Sequence, residues 1–181
     1  MDLPAEDMAP TIGEYYLMGL EHRKQVLAAL PPEGRMLEWG CGDSTLWFRS
    51  NMVAGQTLLS IDNDPEWCKR IGGVVHKGVT VPGADGTIME EAPTGQATHD
   101  YVWGPFAESK GEGFDVILVD GVWRNLCLMA APIMLKTTGT LFLHDGHRDW
   151  YMTGAALYPI REDCGVCTDY PQSRMVEMRF R

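Results

Sequence analysis

Residues 36–48, MLEWGCGDSTLWF, join an apolar run carrying a carboxylate to a glycine-rich turn and the first turn of a helix. Few folds use that order. A strand that stops at closely spaced glycines and passes directly into a helix is the unit from which parallel α/β sheets are wound. Gly40 and Gly42 lack Cβ atoms, so their backbone can take positive φ and come close to a ligand, while the helix-opening amides point into the same space. The dinucleotide form of this turn needs a third glycine three residues after the second, and Thr45 stands there.

Glu38, two residues before Gly40, would repel a pyrophosphate and attract a ligand bearing an ammonium and a sulfonium. A second apolar run, TLLSID, ends in Asp62, at the spacing where an acid can accept both hydrogen bonds of a ribose diol. Glu38, Gly40, Gly42 and Asp62 together resemble the first two motifs of the class I S-adenosylmethionine-dependent methyltransferases. FDVILVDG, with Asp120 at its end, resembles the fourth strand of that family, and GTLFLHDG resembles the fifth. The resemblance spans residues 11–181. It implies a doubly wound, mostly parallel seven-stranded α/β sheet of the Rossmann-like kind, closed by an antiparallel hairpin, with residues 1–181 forming one domain. It also implies S-adenosylmethionine as cofactor. Glu38 would take the methionine ammonium, directly or through water, and Asp62 the ribose. Gly40, Cys41, Gly42, Ser44, Asn63 and Asp120 complete the expected cofactor shell. The competing readings are that Glu38 neutralises helix-start amides, that Asp62 caps a strand end, and that Cys41 merely fills space.

Two further segments are similar to those of a small bacterial methyltransferase-like subset. Asp120, Gly121 and Arg124 match its pattern after strand four; Asp145, Arg148 and Tyr151 match the pattern after strand five; and YVWGPF, with Trp103, resembles its tryptophan–glycine element. Methyl transfer from a sulfonium is an in-line displacement, so the protein must align the acceptor and remove its proton when it is a hydroxyl. His144 is the expected base, with Asp145 and Asp120 beside it and His147 as competitor. Arg124 and Arg148 would hold an acidic or sugar-like acceptor through forked hydrogen bonds, or else pair with Asp120 and Asp145. Tyr151 and Trp103 would form an apolar wall, with core packing as the alternative. Some methyltransferases of this fold bind magnesium or manganese at carboxylates on these two strand ends; Gly146 stands where the usual amide ligand would be, so a divalent metal is not favoured.

The remaining residues set boundaries on function. Asp and Glu total 25 against 15 Lys and Arg, a formal net charge of -10, which counts against nucleic acid and anionic membrane surfaces as targets. No apolar stretch approaches the ~20 residues of a membrane span, and the start lacks the pattern of a signal peptide, so a cytoplasmic address is expected. Five cysteines suit no disulfide framework, and Cys164 and Cys167 form a CxxC with no second pair to complete a zinc site. After a polar extension over 1–10, a capping box at Thr11 to Glu14 opens a helix through Leu30. Strands are expected at 35–39, 57–61 and 73–79, and helices at 44–52, from Pro65, at 122–136 with Pro132 kinking or dividing it, and at 148–156. Residues 80–113 lose periodicity and read as a loop over the active site. The expected activity is methyl transfer to a small molecule, on oxygen because no NPPY-type amine motif follows strand four. A non-catalytic cofactor-binding partner or sensor is the alternative, and a nicotinamide enzyme is disfavoured by Glu38 and Thr45.

Overall fold

A computed structural model describes residues 18–77 and 95–181. Its elements run α1 (Leu20–Ala28), β1 (Arg35–Trp39), α2 (Asp43–Asn51), β2 (Thr57–Asp62), α3 (Pro65–Ile71), β3 (Val75–His76), α4 (Gln96–Glu108), β4 (Phe114–Val119), α5 (Arg124–Met134), β5 (Leu135–His144), a 3₁₀ turn at Asp149–Tyr151, α6 (Met152–Ala155), β6 (Ile160–Val166) and β7 (Arg174–Arg179). They build a seven-stranded sheet in the order β3-β2-β1-β4-β5-β7-β6. The first five strands of that order are parallel; β7 runs antiparallel to both β5 and β6. This is the expected doubly wound α/β sheet with its closing hairpin.

Alternation along each strand sorts side chains to two faces. Leu37, Trp39, Ile117, Val119, Leu141 and Leu143 face a core completed by Tyr101 of α4 and by Cys127, Leu128 and Ala131 of α5. Met36, Val116, Leu118 and Phe142 face the other way, onto Val26 of α1 and Phe48 of α2. Burial on both faces explains why these strands read as continuous apolar runs. None of the helices among the described residues is long and apolar enough to cross a membrane.

The structure corrects several boundaries. The segment expected as an 80–113 loop contains the thirteen-residue helix α4; residues 80–94, like the extension 1–10 and the capping box at Thr11 to Glu14, lie outside the described residues. The first described helix opens only at Leu20, whose amide donates 2.8 Å to Asp169 Oδ2, a cap supplied from 149 residues away. Helix 148–156 is a 3₁₀ turn followed by a four-residue helix. Pro132 does not divide α5, and a second proline, Pro105, sits inside α4. Each proline lacks the N–H that would bond the carbonyl four residues back. Buried aromatic donors take both vacated carbonyls: Trp39 Nε1 donates to Tyr101 O at 3.1 Å, and Tyr158 Oη donates to Leu128 O at 2.8 Å.

Candidate functional site

The strand order reverses between β1 and β4, and a crevice opens there at the carboxyl ends of the strands, where open α/β sheets bind ligands. Its cavity is about 530 Å³, within the size range of small-molecule and cofactor sites. Gly40, Cys41, Gly42, Ser44, Asp62, Asn63, Asp120, Arg124, His144, Asp145 and Arg148 all line it, so most residues marked in the sequence do converge.

The turn after β1 is held by contacts that leave its inner edge bare. Gly40 has φ +89°, and a Cβ there would lie 2.5 Å from Gly121 N and 2.6 Å from its Cα. Two loops thus touch backbone to backbone. Gly42, by contrast, has φ −178°, extended backbone open to any residue, so the expectation of positive φ holds for Gly40 only. Asp62 Oδ2 accepts the Cys41 amide at 2.7 Å and Asp62 Oδ1 the Asp64 amide at 2.8 Å, leaving further lone pairs of this crevice-lining carboxylate for a diol. The Trp67 indole N–H donates to Cys41 O. Cys41, Asp62 and Cys68 bring one ligand atom each within 4.8 Å of one another. Burial raises both thiols above their ordinary range.

Glu38, expected to reach the cofactor's ammonium directly or through water, is fully buried and does not itself line the cavity. Its Oε1 accepts from Ser44 Oγ at 3.0 Å, and its Oε2 accepts from Thr45 Oγ1 at 2.7 Å and Ser60 Oγ at 2.8 Å. Thr45 Oγ1 also accepts the Gly42 amide at 2.9 Å, which explains why a third glycine would not serve here. Glu38 therefore ties β1, β2 and the start of α2 into one unit. Burial pushes its carboxyl up to about 7 against the pull of the three hydroxyls. A raised native value means stability is fully present below the unfolded carboxyl value and is lost as pH rises through about 7. Accordingly, wild type should lose ground to Glu38→Gln in urea-melt midpoints as pH climbs from 5 to 8. Parallel pH profiles for the two proteins would contradict this.

On the other side of the switch point, Arg124 is the hub. It is buried; Nε donates to Gly121 O at 2.9 Å, Nη2 to Asp120 O at 2.9 Å, and Nη1 to His144 O. Its guanidinium lies 3.1 Å from Asp120 Oδ1 and 3.5 Å from Asp145 Oδ2, and Arg148 Nη2 lies 2.8 Å from the same Asp145 oxygen. Both arginines are thus paired with the aspartates, the alternative to gripping an acceptor. Such a donor set, carboxylates already neutralised by two guanidinium groups, does not fit a divalent metal. Burial alone would raise Asp120, but the charges of His144 and Arg124 outweigh it and hold the carboxyl below its usual range. All its described contacts use Oδ1.

His144 and Asp145 both line the crevice, although neighbours on a strand face opposite ways, because β5 ends at His144 and Asp145 turns at φ +57°. His144 Nδ1 lies 2.8 Å from Asp120 Oδ1 and Nε2 lies 3.0 Å from Ser173 Oγ. Both ring nitrogens of His144, the residue expected as base, thus have partners within the protein. His147 is exposed. Tyr151 is buried, its ring 5.2 Å from the Arg124 guanidinium carbon, so it supports that arginine instead of walling the crevice. Trp103 lies in a separate groove between α4 and α5, with Thr98, His99, Leu126 and Met129.

The sequence reading missed Arg23 and Met18. Both line the crevice from α1 and the residues before it; Arg23 Nε donates to Met18 O at 2.8 Å, and no carboxylate among the described residues lies within ion-pair distance of its guanidinium. No local sequence signal marks such a residue.

No protein-family model and no curated protein matches the sequence. Solved structures do resemble the chain. A methyltransferase-like protein from Silicibacter pomeroyi is 20% identical over 90% of this chain and 87% of its own, with a TM-score of 0.59. A precorrin-6y C5,15-methyltransferase from Geobacter metallireducens is 14% identical over 95% and 93%, with a TM-score of 0.59. An O-methyltransferase from Bacillus cereus, in complex with SAH, is 15% identical over 98% and 84%, with a TM-score of 0.54. The chain thus has the fold of the class I S-adenosylmethionine-dependent methyltransferases.

Proposed function

We propose that the protein is an S-adenosylmethionine-dependent methyltransferase acting on a hydroxyl of a small molecule. The observation that carries this reading is the crevice itself: a ribose-competent acid at the end of β2, a Cβ-free backbone contact at the switch point, and a carboxylate at the end of β4. The likeness to methyltransferases of this fold supports it. When bound, the cofactor supplies an electrophilic methyl on a positively charged sulfur. Asp62 would accept from the ribose hydroxyls. Asp120 Oδ2, which no described contact occupies, presents negative charge to the cationic end of the ligand. Arg23 would bind the carboxylate of its amino-acid portion.

With His144 occupied on both nitrogens, proton removal falls to Asp145 or Asp120. Carboxylates already paired with arginine are weak bases, so they suit an acidic hydroxyl, such as a phenol, better than an alkyl alcohol. The acceptor would enter beside Arg148, which is partly exposed at the mouth. The net charge of -10 favours a small-molecule acceptor over nucleic acid or an anionic membrane surface.

Calorimetry with S-adenosylmethionine, S-adenosylhomocysteine and NAD tests the cofactor class. Binding of the sulfur compounds and not of NAD is expected; binding of neither sulfur compound would reject the proposal. Asp62→Ala and Arg23→Ala should each weaken S-adenosylhomocysteine by about 1.5–3 kcal/mol, the worth of a hydrogen bond to a charged group. Arg23→Ala should leave 5′-methylthioadenosine, which lacks the amino-acid end, unaffected. Equal losses for both ligands would remove Arg23 from this role. A sensor module would show the same binding with no turnover on phenolic acceptors.

A further inference from the structure

His144 is the first imidazole of a buried chain that leaves the crevice. Asp120 Oδ1 lies 2.8 Å from His144 Nδ1; His144 Nε2 lies 3.0 Å from Ser173 Oγ; Ser173 Oγ lies 2.8 Å from His22 Nδ1; and His22 Nε2 lies 3.1 Å from Gly165 O. His22, His144 and Ser173 are all buried, and the Gly19 amide donates to Ser173 Oγ at 3.2 Å. Nothing in the sequence joins these residues, since His22 and Ser173 are 151 positions apart.

Counting protons along the chain fixes its charge. A hydroxyl offers one hydrogen and two lone pairs, and Gly19 N–H takes one lone pair of Ser173. One hydrogen and one lone pair remain for two imidazoles, so one ring accepts from Ser173 and the other donates to it. At the outer ends, the Gly165 carbonyl accepts only, so His22 carries hydrogen on Nε2. The Asp120 carboxylate likewise accepts only, so His144 carries hydrogen on Nδ1. Whichever ring donates to Ser173 therefore bears two hydrogens and is an imidazolium. Two neutral rings would leave one nitrogen lone pair facing the oxygen of a buried hydroxyl, a cost such groups avoid.

Placement of the charge follows from the neighbours. His144 faces Asp120 from β4 and Asp145 3.9 Å away after β5, with Arg124 of α5 and Arg148 closing the cluster. His22 has no carboxylate within ion-pair distance among the described residues; Glu21 on its own helix and Asp163 in β6 act on it only at longer range. Burial, followed by the repulsion of His144, lowers the proton affinity of His22 despite its carbonyl partner.

We propose that Ser173 and His22 are positioning residues of the crevice, forming with His144 a hydrogen-bond chain that stores one extra proton, holds His144 as an imidazolium and keeps Asp120 a carboxylate facing the ligand. The proton can shift without any co-reactant. His144 Nε2 passes its hydrogen to Ser173 Oγ while Ser173 passes its own to His22 Nδ1, moving the positive charge from beneath Asp120 to α1. A cation seated against Asp120 Oδ2 repels the His144 charge and favours that shift, so ligand charge at the crevice is communicated to the α1 side of the sheet. This use of the shift rests on the proposed cationic cofactor; the stored proton in the free protein does not.

The test is side-chain ¹⁵N NMR of the free protein, which needs no ligand and so fails or succeeds apart from the cofactor assignment. The chain has five histidines, and the three outside the buried pair, His76, His99 and His147, are exposed. At pH 7.5 His144 should show two protonated ring nitrogens and His22 a single one, on Nε2. Ser173→Ala and His22→Leu, which remove the hydroxyl acceptor or free its hydrogen for His144, should leave His144 with a single protonated ring nitrogen at pH 7.5. His22→Gln, whose amide can accept from Ser173 and donate to Gly165, should retain both ring hydrogens on His144. A neutral His144 at pH 7.5 in the unaltered protein would overturn the proposal even if the variants fail to fold. Two protonated ring nitrogens on His144 in folded Ser173→Ala or His22→Leu at pH 7.5 would overturn it as well.

Discussion

Arg124→Leu should cost about 3–5 kcal/mol in urea denaturation at pH 7, the usual penalty for breaking a buried ion pair from one side. Typical domains have only about 5–15 kcal/mol in total, so this change takes a large share. The loss has two sources. Carbonyls of Asp120, Gly121 and His144 lose their donor, and the carboxylates of Asp120 and Asp145 lose the guanidinium between them. Lysine cannot replace it, because three directed donors and two carboxylates require a planar fork. The effect should depend on pH in a defined direction. In the unaltered protein Asp120 is held below its usual value, so its stabilisation is present above the unfolded value and is lost as pH falls through the native one. Removing Arg124 raises the native value, so the gap between the two proteins should narrow as pH falls from neutral through the ordinary carboxylate value and below it. A gap below 1 kcal/mol, or one that stays constant with pH, would contradict the role of Arg124 as the hub.

Gly40→Ala is the second large effect. A side chain at φ +89° adds backbone strain of about 1–3 kcal/mol, and its Cβ would press on backbone atoms of Gly121 and Asp120 2.5–2.7 Å away. Backbone on both sides cannot swing aside as a flexible side chain could, so overpacking adds about 1–3 kcal/mol more. The turns after β1 and β4 would separate, and the crevice between them would lose its shape along with its stability. Gly42→Ala provides the control. Its backbone is extended, and its Cβ would meet only the Trp67 ring at 3.7 Å, an ordinary contact. Thermal melts with and without S-adenosylhomocysteine should show a destabilised, non-binding Gly40→Ala and a near-normal Gly42→Ala. Similar behaviour of the two variants would show that the close approach of the loops is not what limits this site.

What could be read in the sequence was what is local. The run from β1 through α2 to Asp62 carries its signals within 27 residues, from Met36 to Asp62, and both the strand ends and the lining residues emerged where expected. Helix α4 escaped because it opens after Gly95 without a side-chain cap and contains Gly104 and Pro105, residues that read as loop. The enclosure of Glu38 escaped for a different reason. A charge beside a glycine turn suggests a ligand, and only the fold shows that Ser44, Thr45 and Ser60 enclose it. Ser173 and His22 were invisible because their partners come from distant parts of the chain, and Arg23 because the crevice it lines is built by β-strand ends far from α1; no periodicity or spacing encodes a hydroxyl placed between two imidazoles.

The prolines inside α4 and α5 have a consequence for how helices are oriented on a sheet. Apolar packing tolerates small rotations of a helix about its own axis, since one methyl contact replaces another. A carbonyl stripped of its helical partner is different: it is a directional acceptor in the body of the helix, away from the open carbonyls of the last turn. By giving that acceptor to the Trp39 indole in one helix and to the Tyr158 hydroxyl in the other, the chain sets the azimuth of both helices by chemistry that no neighbouring turn can imitate. What looks like a defect in each helix serves as its keyway.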